Sequence, residues 1–150
     1  MLARPWRGED EVKLDERLAD LGQRYSDREA AEGEALARAW ECAEALHGRV
    51  ARALVSFHRS AADSAPQLQV GQSAPRVDDK HLHAVQFDLF RGRCRAIVTV
   101  KSRGDVTLVG PFREGKTEGP CRTFPIGASE PIEEALGEFL ALFIEEALRP

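Results

Sequence analysis

The stretch GPFREGKT, Gly110 to Thr117, decides how the second half of this chain is read. It satisfies G-x-x-x-x-G-K-[ST] at every fixed position. In that pattern a glycine-rich loop opens a helix whose backbone N–H groups hold phosphates, and the run DVTLV before it reads as the strand such a loop needs. The residues that follow argue against it. Thr117 leads into Glu118-Gly119-Pro120, where glycine disfavours a helix and proline removes a hydrogen bond from its first turns. Pro111 deletes one of the N–H groups the cradle would use. The 33 residues after Thr117 offer one helix and no further parallel strands. The stretch is therefore read as a hairpin tip, with the chain doubling back at Gly115-Lys116, and no nucleotide site is expected.

Working outward from that tip, LHAVQFDLF, CRAIVTVK, DVTLVGPF and EGPCRTFPI alternate in character with a period of two and are separated by RGR, SRG and REGK. Short glycine-bearing sets between alternating segments suit hairpin turns, so these residues predict a four-stranded antiparallel meander. Cys94, Ala96, Val98 and Val100 share one face of the second strand and Arg95, Thr99 and Lys101 the other, as in a sheet with one dry side. Pro120 and Pro125 place the fourth strand at an edge. The first strand is apolar on both faces, with Val85, Phe87 and Leu89 opposing Leu82, Ala84 and Phe90, so a cover is expected on each face: the C-terminal helix on one, and the long N-terminal helix or a second copy of the chain on the other.

After the sheet, Ser129 is placed to cap a helix, Pro131 sits in its first turn, and Glu130, Glu133 and Glu134 bring negative charge to its positive end. Ile132, Leu136, Phe139, Leu140, Phe143 and Ala147 form an apolar stripe that predicts packing on the sheet. Before the sheet, residues 63–80 are rich in Ala, Ser, Pro and Asp and read as a connector. Residues 1–62 read as a helical pair. Val12, Leu14, Leu18, Leu21 and Tyr25 recur at threes and fours, Gly22 and Ser26-Asp27 interrupt the stripe, and a second, longer helix carries Leu36, Trp40, Ala43, His47, Val50, Leu54 and Phe57. The fold class expected is α+β, with residues 81–150 forming the sheet and C-terminal helix as one folded unit with residues 1–62.

At 150 residues the chain has the length of one domain, enough to bury about 70% of the surface of its unfolded form. Apolar residues make up 43% and charged residues 31%, a composition that folds. The N-terminus becomes acidic within its first residues and no window is apolar enough for a bilayer, so a cytoplasmic protein with no membrane association is expected. Cys42, Cys94 and Cys121 form no C-x-x-C pair and read as reduced thiols.

Chemistry-bearing constellations are sparse. His81 and His83 would share one face of a strand, but two ligands do not make a metal site and no spacing selects a third. Cys94 or Cys121 beside a histidine lacks the helix N-terminus that would stabilise a thiolate. An enzymatic reading would require a pocket gathering His83, Cys94 and a carboxylate. Neither cofactor nor metal nor catalytic set is expected.

Charge is more informative. Residues 1–79 carry a net −4, residues 80–125 a net +5 and residues 126–150 a net −5. Arg91, Arg93, Arg95, Lys101, Arg103, Arg113 and Lys116 thus make the hairpin region of an acidic protein basic, which suits nucleic acid or another polyanion. The leading expectation is a non-enzymatic interaction protein, homodimeric, whose surface includes Leu36, Trp40, Val50, Leu54 and Phe57 and whose protein partner the residues do not identify. The alternative is polyanion binding through the basic hairpins.

Overall fold

A computed structural model describes residues 8–78, 80, 83–116 and 119–150. His81, Leu82, Asp79, Thr117 and Glu118 lie outside the described residues, and with them one of the two histidines considered for metal and the last residue of the phosphate-loop match. The elements run α1 (Gly8–Ala61), β1 (Gly71–Gln72), β2 (Arg76–Val77), β3 (Ala84–Arg91), β4 (Cys94–Lys101), β5 (Asp105–Arg113), β6 (Cys121–Pro125) and α2 (Ser129–Ala147). This is an α+β arrangement. The chain divides into two units, Met1–Glu34 and Ala35–Pro150, with the boundary inside α1. No helix among the described residues is long and apolar enough to cross a membrane.

The expected helical pair is one helix. Gly22, Ser26 and Asp27 all lie within α1. A glycine in a helix interior costs only about 1 kcal/mol, too little to break a run otherwise rich in Glu, Arg, Ala and Leu. Asp27 is held on the helix surface, where its carboxylate accepts a hydrogen bond from Gln23 one turn earlier (2.9 Å), so it caps nothing.

The sheet has six strands where four were expected. The additional two come from the connector: β1 and β2 both pair antiparallel with β3. They are only two residues long, below what an alternation pattern can reveal. What brings the connector back along β3 is the buried Val70, whose N–H donates to His58 Nε2 (3.0 Å), together with Gln72, whose side chain donates to the His47 carbonyl (2.9 Å). From β3 onward the ladder is the expected meander, ending with β6 at one edge and the β1 and β2 pieces at the other. The turns that connect it use Gly92 and Gly104 at positive φ.

Register assigns the faces. Val85 lies opposite Val100, Phe87 opposite Val98 and Leu89 opposite Ala96, and Val98 and Val100 lie opposite Leu108 and Val106. All eight are buried. Both helices cover this one face. Residues 35–61 of α1 bury Ala39, Ala43, Val50 and Leu54, and the His47 ring meets the Phe87 ring edge-on at 5.2 Å. The α2 helix buries Ile132, Ala135, Leu136, Phe139, Leu140 and Phe143. An ion pair from Arg49 to Glu133 (2.7 Å) joins the two helices side by side. The α2 stripe is as expected, but its start differs: Ser129 is already helical, the cap position is Ala128 with no side-chain hydrogen bond, and only Glu130 of the three acids lies in the first turn.

Candidate interaction surface

The phosphate-loop match is accounted for by the strand it sits in. Gly110 to Arg113 continue β5, and the Lys116 N–H then donates to the Arg113 carbonyl (3.0 Å) in a tight turn; among the described residues that come next, Gly119 and Pro120 are not helical and Cys121 begins β6. Gly110 has φ +114°, and a Cβ there would stand 3.0 Å from the Arg95 carbonyl oxygen. That carbonyl belongs to the register shift between Arg95 and Ile97 in the β4–β5 ladder. Only glycine fits such a close approach at positive φ, so the first glycine of the pattern serves a bulge.

The groups an enzymatic reading needed are held apart. Cys94 begins β4 on the buried face, whereas His83 lies just before β3, its carbonyl accepting from the Ser102 N–H beyond the far end of β4. Eight residues of extended strand separate the two, about 25 Å. Burial pushes the Cys94 thiol up, and the Glu146 carboxylate adds to the shift; burial does the same to Cys42. Cys121 is exposed on the opposite sheet face. Among the described residues no three His, Cys, Asp or Glu side chains cluster around a common point.

The basic residues fall into two groups. Arg91, Arg93, Arg95, Arg113 and Lys116 lie at the end of the sheet that holds the β3–β4 and β5–β6 connections, and Lys101 and Arg103 at the other. Arg95 and Lys101 are six strand residues apart, about 20 Å. Several are already engaged. Arg91 donates to the Gln67 and Gln69 carbonyls (3.2 and 2.8 Å), Arg103 pairs with Asp105, and Arg95 pairs with Glu114 at 3.6 Å while lying over the Phe90 ring. Arg93, Arg113 and Lys116 are exposed and make no ion pair among the described residues. At the other end a shallow basin of about 730 Å³ is lined by Asp78, Lys80, His83, Thr99, Lys101 and Arg103.

The apolar residues considered for an interaction surface are used inside the chain. Val50 and Leu54 are buried in the core, and Leu36, Trp40 and Phe57 pack against it. Their stripe meets the chain's own sheet and α2. A different stripe stands in solvent: Leu14 is 47% exposed, Leu18 57%, Leu21 39% and Tyr25 57%, with Val12 beside them. The sequence carries the signal that separates the two. The second stripe includes alanines, Ala39 and Ala43, small enough for a helix to lie close on a sheet. The first is made of Leu and Tyr flanked on both sides by charge.

Within Ala35–Pro150, the second sheet face is covered neither by α2 nor by residues 35–61 of α1. It presents Phe90, Ile97, Thr99, Val109 and Thr123, with Thr107 and Thr123 sharing a hydroxyl hydrogen bond (3.2 Å). Its apolar content is partly satisfied within the sheet, since the Phe90 ring lies on Gly71, where a Cβ would stand only 2.2 Å from it.

No protein-family model matches this chain, and no curated protein or solved structure shows significant similarity to it.

Proposed function

We propose that this protein is a non-enzymatic interaction module, an adaptor, assembly factor or small chaperone-like protein, that acts as a homodimer. One observation carries the reading: Leu14, Leu18, Leu21 and Tyr25 are large apolar side chains lined along one helix and left in solvent. Scattered apolar residues on a surface need no partner, but a contiguous stripe rimmed by charge marks a binding surface. The polar groups near it, Arg17, Arg24, Asp15 and Glu29, resemble the rim of such a surface. Light scattering on the eluting size-exclusion peak tests the dimer. The expected mass is about twice the 16.6 kDa chain, and a monomer at every concentration would remove the homodimer.

A second reading, polyanion binding, is favoured by Arg93, Arg113 and Lys116, which are exposed at the same end of the sheet. They make no ion pair among the described residues, and cations that neutralise phosphates release counterions. Retention on heparin that falls steeply with salt and is lost in an Arg93→Glu, Arg113→Glu, Lys116→Glu variant supports this reading; elution with the void at low salt removes it.

A further inference from the structure

We infer that His58 is a pH-sensitive latch on the edge of the sheet: its neutral ring holds β1 against β3, and its protonation releases residues 67–73 and opens the outer edge of β3. The device is independent of whether the chain is a dimer. The Val70 N–H donates to His58 Nε2 at 3.0 Å, which ties the last turn of α1 to the residue just before β1. An imidazole nitrogen accepts only while it carries no proton, and both nitrogens of the charged ring are donors. The contact therefore belongs to the neutral form alone. Val70 is buried, and a donor left there facing another donor costs more than the hydrogen bond itself contributes.

The hold on the connector is concentrated at one peptide group. The Gln69 carbonyl accepts from Arg91 Nη1 at 2.8 Å, while the N–H of the same peptide, that of Val70, goes to His58. In a trans peptide these two groups point opposite ways, so the end of α1 and β3 grip it from either side. Arg91 also reaches the Gln67 carbonyl at 3.2 Å. Past this clamp β1 pairs only Gly71 with Phe90 and Gln72 with Leu89, after which the Ser73 N–H donates to the Asp88 carbonyl at 2.9 Å. The Gln72 side chain adds one bond, to the His47 carbonyl. So short a strand has little of its own to keep it paired, and the clamp at its start decides whether it stays.

The charges around the ring give each protonation state its own resting place. The α1 helix ends at Ala61, and the unpaired carbonyls of a last helical turn suit a cation, so an imidazolium that lets go of the strand is accommodated by the helix end. In the closed form the same charge gains nothing. Arg59 is next to it in the helix and Arg91 stands across one peptide on β3. Among the described residues no carboxylate forms an ion pair with His58: Asp63, just beyond the helix, is exposed, and Glu133, Glu138 and Glu146 of α2 are paired with Arg49, Arg122 and Arg149. The Phe57 ring, edge-on at 5.7 Å, is uncharged. Histidine changes charge between about pH 5 and about pH 8, which is the range in which the latch works. The Arg76–Asp88 ion pair holds β2 independently of His58, so the opening stops at Ser73.

Amide hydrogen exchange on the full chain tests this, read for residues 67–73 at about pH 7.5 and about pH 5.5 and corrected for the intrinsic pH dependence of exchange. In the wild type the protection of that segment is expected to fall about tenfold at the lower pH, the size of one buried hydrogen bond lost, while β4 and β5 keep theirs. His58→Gln places an amide oxygen that accepts at either pH and should keep the segment protected at both. His58→Lys, a donor with no acceptor, should leave it unprotected at both. Equal protection of the wild-type segment at the two pH values overturns the latch. A fall of the same size in His58→Gln also overturns it and assigns the response to another group, for instance His47 or Asp88. Protection that survives in His58→Lys shows that β1 is held without the ring, and a fall shared by β4 and β5 shows that the whole core opens; each overturns the latch. Should His58→Lys fail to fold, the wild type and His58→Gln decide between the outcomes by themselves.

Discussion

The two halves of α1, residues 8–34 and 35–61, carry large apolar side chains at the same helical spacing, yet Leu18 and Tyr25 are each 57% exposed while Val50 is fully buried and Leu54 nearly so. The difference lies in what accompanies the stripe. In the second half Ala39 and Ala43 let backbone approach backbone, and His47 supplies both an edge for the Phe87 ring and a carbonyl for Gln72. In the first half every residue from Gly8 to Ala31 is exposed, and charges stand on both sides of the seam. Periodicity alone identifies a face that needs company. Here the stripe that carries small residues is the one the chain's own sheet covers, and the stripe flanked by charge is the one left exposed.

Substitution at matched positions is the strongest way to break this contrast. Leu54→Ala should cost about 2–5 kcal/mol in a urea titration, as for other buried leucines. Leu18→Ala should leave the midpoint within about 0.5 kcal/mol when read at concentrations that keep the chain monomeric. Equal losses would mean that the first half is buried by something in the folded monomer. A smaller effect sharpens the comparison from the backbone side. A Cβ added at Gly22 meets nothing within 4 Å, so Gly22→Ala should stabilise the first half by about 1 kcal/mol, seen as raised helicity by circular dichroism with an unchanged core midpoint. The smallest effect concerns the pair that ties the second half to α2. Arg49 and Glu133 are about half exposed, so Arg49→Ala should cost less than about 1 kcal/mol and cost still less in high salt.

Much of the sheet was legible because its turns announce themselves. The segment CRAIVTVK coincides with β4 and DVTLVGPF with all but the last residue of β5, since alternation of period two survives wherever one face is dry. The two-residue strands β1 and β2 were not legible. They exist because Val70 is drawn into the core and His58 accepts its N–H, a contact between residues twelve apart that no local pattern encodes. The unity of α1 was hidden for the opposite reason: Gly22 and Ser26-Asp27 are genuine local signals for an interruption, each weaker than the cooperativity of a long helix. For the candidate surface, the stripe at Leu14–Tyr25 was visible, but its freedom was not, because sequence spacing cannot distinguish a covered face from an open one. The basic residues show the same limit. Their clustering in the chain is real, and the meander distributes them to opposite ends of its strands.

The flanks of the ladder carry a last consequence. One flank is β6, five residues closed by Pro125; the other is two short pieces separated by Ser73, Ala74 and Pro75. A stranger's extended peptide recruited alongside would find too few free N–H groups in register to hold it. Lateral growth into a continuous cross-β stack is thereby discouraged at each side, so the flanks of the sheet add little to the hazard of a chain that keeps large apolar side chains in water.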